Sequence, residues 1–161
     1  MRASPTRRQN SGAVGSLARV QAGRIEQRGL LRAEQPPPDT TIVVRGGRDT
    51  LDKLRGHAQR TARAWALDGQ PLFGISVFAV LGIALEELLA RRFASFRTIY
   101  LPTADQLREH GFELLATGQR PHYTVRLRRA DDPELEELLA ALGAARPNPQ
   151  YGRSSIWREE G

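Results

Sequence analysis

The sequence predicts an α/β fold: a mixed sheet with helices packed on it, in the order β-α-β-α-β-α-β-β-α. Three observations predict it. Short β-branched or apolar runs alternate with amphipathic stretches at helical spacing. Capping and turn residues sit at the ends of those runs. A 40% apolar share in 161 residues suits one small domain with one modest core.

The elements follow in order. Thr41-Ile42-Val43-Val44 is apolar or β-branched without alternation, the pattern of a strand buried on both faces, and Gly46-Gly47 ends it. Asp49 or Thr50 caps a helix whose apolar stripe is Leu51, Leu54, Ala58, Ala62 and Trp65; Asp68-Gly69 stops it. Residues 72–81 form a buried strand, and Leu85, Leu88, Leu89 and Phe93 mark the next helix. Residues 96–101 form a third strand closed by Pro102. Thr103-Ala104-Asp105-Gln106 is a capping box for a short helix ending at His110-Gly111. Residues 112–117 and 122–127 read as two strands. In the second, Tyr123, Val125 and Leu127 point one way and His122, Thr124, Arg126 and Arg128 the other, so one face packs and the other is wet or binds. Asp132-Pro133 opens the last helix, with Leu135, Leu138, Leu139 and Leu142 inward and Gly143 after its end.

Residues 1–39 form a tail rich in arginine and proline, ending near Pro36-Pro37-Pro38 and expected to be disordered. Three readings of it stand open: a nucleic-acid-binding arm, a partner-binding helix, or translation upstream of the true start. The domain spans 40–145, and 146–161 is a loop or tail, carrying Tyr151 and Trp157, that packs back or docks on a partner.

The net charge of +6 invites a nucleic-acid reading, but its location matters. Seven of the 24 cations and two of the 18 carboxylates fall in residues 1–38, which leaves 17 against 16 in the rest. The body is almost neutral. Lys53 is the one lysine, and with the Ala, Gly and Pro content this points to codon bias in a GC-rich genome. No stretch approaches the roughly 18 apolar residues of a membrane span, and the first residues carry no apolar signal core. The absence of cysteine excludes disulfides and thiolate chemistry. A cytoplasmic protein with no membrane contact is expected.

The first candidate site is Val44-Arg45-Gly46-Gly47-Arg48-Asp49, where a buried strand runs through two glycines into a helix start. Free N–H groups there attract anions, and Arg45 and Arg48 add fork-shaped donors for phosphate. The Walker lysine and the third glycine of the dinucleotide fingerprint are absent. The second is the basic strand face of residues 120–128, with His122, Arg126 and Arg128 facing a nucleotide or RNA phosphate and His122 able to move a proton. Ser76 stands in Gly74-Ile75-Ser76-Val77-Phe78, without the Gly-x-Ser-x-Gly elbow of a hydrolase. His57 and His110 read as structural. Three scattered histidines make no metal site, and no cofactor is expected.

The series Val43-Val44-Arg45-Gly46-Gly47, Gly74-Ile75-Ser76-Val77-Phe78, Gly111-Phe112-Glu113-Leu114-Leu115 and Pro121-His122-Tyr123-Thr124-Val125 resembles a group of small uncharacterised actinobacterial proteins. It covers roughly 41–150 and implies a bacterial host without a known activity. Arg45 and Ser76 are also distantly similar to the arginine and serine that ADP-ribosyltransferases carry on successive strands. The glutamate motif and Ser-Thr-Ser of that family are missing.

Two functions are expected from these observations. The first is a protein- or RNA-interacting module, of the kind found in toxin–antitoxin or mobile-element loci, with a protein partner and with nucleic acid reached through the tail or residues 120–128. The alternative is an enzyme acting on RNA or a nucleotide, a nuclease or ADP-ribosyltransferase-like, using His122, Arg45 and Ser76.

Overall fold

Ile42, Val43 and Val44 are all fully buried because their strand lies inside the sheet, with helices on both faces. The computed structural model describes residues 34–47 and 49–153. The elements are β1 (Ile42–Arg45), α1 (Leu51–Ala64), β2 (Ala66–Leu67), β3 (Gln70–Pro71), β4 (Gly74–Ala79), α2 (Leu85–Arg92), β5 (Thr98–Tyr100), α3 (Ala104–Glu109), β6 (Leu114–Ala116), β7 (His122–Arg126), α4 (Asp132–Leu142) and β8 (Arg146–Pro147).

The domain is a mixed α/β fold around a six-stranded sheet in the order β6-β7-β4-β1-β5-β8. The expected mixed sheet is antiparallel in every pairing. Because β4 and β5 both run against β1, they run parallel to each other with β1 between them, and α2 makes the crossover. This is a split β-α-β unit. Strand alternation divides the apolar side chains between two layers. Ile42, Val44, Ile75, Val77, Tyr123 and Val125 face Leu54 and Ala58 of α1, Leu107 of α3 and Leu135 and Leu138 of α4. Val43, Phe78 and Ile99 face Leu88, Leu89 and Phe93 of α2.

Local chemistry explains most boundaries. The Thr50 hydroxyl accepts from Lys53 N at 3.3 Å and starts α1. The capping box of α3 is complete: Thr103 Oγ1 accepts from Gln106 N, and Gln106 Oε1 accepts from Thr103 N. For α4 the cap is Asp131, one residue before the expected position. Its carboxylate accepts from Glu134 N at 3.1 Å, and Asp132 joins the first turn to pair with Arg55 of α1.

Three features depart from expectation. The dipeptide Asp68-Gly69 does more than stop a helix. It forms the left-handed pair, φ 51° and 75°, of a two-residue turn joining β2 to β3. Trp65 accordingly leaves the helical stripe and becomes the extended C-cap of α1. Thr124, placed on the wet face of β7, is fully buried, so that face is closed at its centre.

Both boundaries of the body also shift outward. Residues 34–39 are held by bonds from Gln35 Nε2 to Leu114 O, from Arg108 to Pro36 O and from Asp105 N to Pro38 O. At the other end β8 pairs with β5, and Asn148 pins the segment beyond it. Its amide donates to the carbonyls of Phe93 and Phe96 at 2.8 and 2.9 Å, and its oxygen accepts from Gln150 N. Gly152 N then bonds Ala94 O at 2.9 Å. The segment through Arg153 therefore packs back on the body. The arginine-rich arm in 1–33, Arg48 and the Trp157 segment lie outside the described residues.

Two glycine substitutions should behave oppositely. A Cβ on Gly74 would lie 2.4 Å from the Val125 carbonyl oxygen and 2.6 Å from Thr124 Cγ2 on the neighbouring strand. Gly74→Ala should therefore leave little folded protein by circular dichroism. A Cβ on Gly56, inside α1, meets nothing within 4 Å, so Gly56→Ala should raise stability by about 0.5–1 kcal/mol in urea titration. Asn148→Ala strands two carbonyls and should cost about 1–3 kcal/mol in the same measurement.

Candidate functional site

The candidate site is built where β1 hands over to α1. Arg45 is the last residue of β1, and by alternation it shares the sheet face of Val43. Gly46 follows, and its N–H donates to Thr98 O at 2.7 Å. A side chain here would lie 1.8 Å from Thr98 Oγ1. Gly46 is thus required by the approach of β1 to β5, and its N–H is committed to the sheet rather than offered to an anion. Gly47 turns the chain with φ 78°.

α1 then places Lys53, Gly56, His57 and Arg60 on one side, at spacings of three and four residues. With Arg45, Gly46, Gly47, Asp52 and Phe96 they line a cleft of about 230 Å³. The two halves of the site are therefore a strand end and a helix face, each fixed independently by the core.

The central group is His57, only 8% exposed. Its Nδ1 lies 3.1 Å from Arg45 Nη2 and also 3.1 Å from Arg60 Nη2. A guanidinium only donates, so Nδ1 is the acceptor and the neutral ring carries its proton on Nε2. Two cations thus share one lone pair. Burial holds the Arg45 pKa below its usual value, and the charge of Arg60 pushes it the same way. The Arg45 guanidinium also lies over the Phe96 ring, 5.2 Å from its centroid, which restrains its plane.

The nearby carboxylates are engaged elsewhere. Asp49 accepts from Lys53 Nζ at 2.9 Å, and that bond, with a backbone bond and the lysine's charge, lowers the Asp49 pKa. Asp52 pairs with Arg55 at 2.9 Å. Among the described residues no carboxylate pairs with Arg45 or Arg60. The cleft therefore presents two cations that a bound anion can neutralise.

The other candidate residues fall in different places. The register Val43↔Phe78, continued by two residues, sets Ser76 across from Arg45 on the neighbouring strand, outside the lining of the cleft. His122 sits two strands away from β1. Its Nδ1 is 2.9 Å from Thr117 O and 2.9 Å from Thr117 Oγ1, which is 2.8 Å from Thr124 Oγ1, and its ring meets Phe78 edge-on at 5.1 Å. Arg126 and Arg128 both face Glu113, at 3.3 and 3.5 Å, beside a separate groove that also holds His110 and Glu137. His110 bonds Glu137 at 2.6 Å and ties α3 to α4. Arg45, His122 and Arg126 thus do not share a cleft.

Sequence reasoning found Arg45, Gly46 and Gly47 but missed Lys53, Gly56, His57, Arg60 and Phe96. The signal was present on α1: positions 53, 56, 57 and 60 form a polar stripe beside the apolar one, interrupted by a glycine at mid-helix. Among the described residues no group of three or more His, Cys, Asp or Glu could hold a metal ion, and no helix is long and apolar enough to cross a membrane. No protein-family model matches the chain, and no curated protein or solved structure matches it either.

Proposed function

We propose that this protein is an RNA- or nucleotide-interacting module that holds a phosphate group between Arg45 and Arg60. One observation carries the reading: two guanidiniums converge on a single imidazole nitrogen, and no carboxylate among the described residues neutralises either. Like charges held this close are costly unless an anion joins them. Arginine forks match phosphate oxygens in geometry as well as charge. Gly56 supports the reading further, because its missing side chain keeps the helical wall of the cleft open. Among the described residues only Phe73 and Tyr151 are large exposed hydrophobics, which favours a phosphate ligand over a broad apolar protein interface.

The alternative, an enzyme acting on the same ligand, draws support from His57, a proton carrier in contact with Arg45. The ADP-ribosyltransferase-like version gains the placement of Ser76 opposite Arg45 and lacks a glutamate in the cleft lining.

Binding of 5′-AMP and of a short single-stranded RNA to the full chain tests the proposal. Each charge-assisted contact contributes about 1.5–3 kcal/mol, so Arg45→Ala and Arg60→Ala should each weaken binding by about tenfold or more. Each should also reduce the salt slope for RNA by about one. Arg63→Ala, in the last turn of α1 and outside the cleft lining, should leave 5′-AMP binding unchanged. Unaltered binding of both ligands by the Arg45 and Arg60 variants would sink the reading.

A further inference from the structure

We infer that the cleft selects a doubly charged oxyanion, the terminal phosphate of a phosphomonoester, and that His57 takes up a proton as it binds and becomes the third donor. This inference rests on the phosphate reading above and deepens it by naming the ligand's charge state.

The charge count comes first. The groups around the cleft are Arg45 on β1, Asp49 before α1, and Asp52, Lys53, His57 and Arg60 on α1; Phe96, from the loop before β5, is uncharged. Lys53 is paired with Asp49, and Asp52 with Arg55, which Asp132 shares. Among the described residues that line the cleft, Arg45 and Arg60 are then the two cations with no carboxylate partner. A phosphodiester, with one negative charge, leaves one of them unmatched. A phosphomonoester dianion matches both. The volume agrees, since about 230 Å³ is less than the roughly 300–1,000 Å³ of sites that enclose a whole small ligand. The cleft takes a head group and leaves the rest of the molecule outside.

The proton follows from the geometry of the shared nitrogen. Without ligand, a proton on Nδ1 would place a third cation against Arg45 and Arg60, both 3.1 Å away, and would remove the one acceptor they share. The ring is therefore held neutral. An arriving dianion gives both guanidiniums full acceptors, and their N–H groups turn from Nδ1 to its oxygens. Nδ1 is then released beside two negative charges. It accepts one proton from solvent and donates the resulting N–H to the anion. No covalent bond is made or broken, and the complex holds one more proton than its separated parts. Because binding consumes a proton, affinity for a dianion that does not itself titrate rises as pH falls. His57 is well placed for this: it is buried and anchored on α1, so little ring movement is required.

Calorimetry of the full chain with sulfate at pH 7, in two buffers of different ionisation heat, tests the inference. Sulfate does not titrate near neutrality, so any proton taken up enters the protein. The binding enthalpy should differ between buffers by the amount expected for partial uptake of one proton. Sulfate should also bind about tenfold more tightly than dimethyl phosphate, a monoanion, the loss of one hydrogen bond between charged groups corresponding to roughly that factor. His57→Asn keeps an acceptor near the Nδ1 position but cannot gain the proton. It should abolish the buffer dependence while binding sulfate a few-fold more weakly. If that variant fails to fold, the wild-type buffer dependence and the sulfate preference decide the matter alone. Sulfate binding without buffer dependence, or with the same dependence in a folded His57→Asn, overturns the proton role and leaves the phosphate reading standing. Dimethyl phosphate binding as tightly as sulfate overturns the charge selection. If neither anion binds but 5′-AMP still requires Arg45, this inference fails alone; if 5′-AMP also fails to bind, the proposed function fails with it.

Discussion

The structure depends on β1 being buried on every side. Its partners β4 and β5 run antiparallel to it, and the two apolar layers meet on its opposite faces through Val43 on one and Ile42 and Val44 on the other. A strand in that position has its backbone satisfied by its neighbours and no water to fall back on, so its exit must be accommodated sterically. Gly46 does this. It passes so close to Thr98 that no side chain fits, and its N–H completes the ladder to β5. Arg45 is thereby held at a fixed point at the strand end, with its aliphatic stem in the body and its charge at the edge.

The site inherits its rigidity from that arrangement. α1 is positioned by Leu54 and Ala58 against the layer that also contains Ile42 and Val44. His57 and Arg60 lie on the side of the same helix that meets the end of β1, so the two arginines and the imidazole are held by elements packed on one core. Phe96 adds a third restraint, from a loop that Asn148 fastens through the Phe93 and Phe96 carbonyls. The C-terminal segment thus supports the cleft at one remove: it fixes the loop whose ring supports Arg45.

Much of the fold was legible because local rules agreed with global ones. The unalternating Thr41-Ile42-Val43-Val44 run marked a doubly buried strand, and the Thr103 capping box and the 85–93 stripe placed helices where they occur. The misses share a physical origin in long-range partners. Asp68-Gly69 looked like a helix stop because its hairpin meaning depends on two-residue strands too short to show alternation. Thr124 looked wet because alternation cannot show what covers a face. His57 looked structural because it borders the apolar stripe, and it is indeed buried; what makes it interesting is Arg45, twelve residues earlier and on a different element. Conversely, the Gly46-Gly47 turn has the sequence pattern of an anion cradle, and only the position of β5 shows that the Gly46 N–H is already taken.

Net charge hides the site for the same reason. Residues 39–161 carry 17 cations against 16 carboxylates, close to neutrality. Six of those carboxylates are engaged by arginine or lysine neighbours: Asp49 by Lys53, Asp52 and Asp132 by Arg55, Glu87 by Arg91, Glu113 by Arg126 and Arg128, and Asp131 by Arg129. Pairing of this kind distributes charge unevenly, and Arg45 and Arg60 are left facing each other across an imidazole. A near-neutral body cannot exert the long-range pull on a polyanion that a uniformly basic one does. At contact distance a pair of guanidiniums, one part-buried and one exposed, can still attract a small anion at one point. The cleft is of that kind: local in charge, small in volume, and placed where two elements of the core hold its donors still.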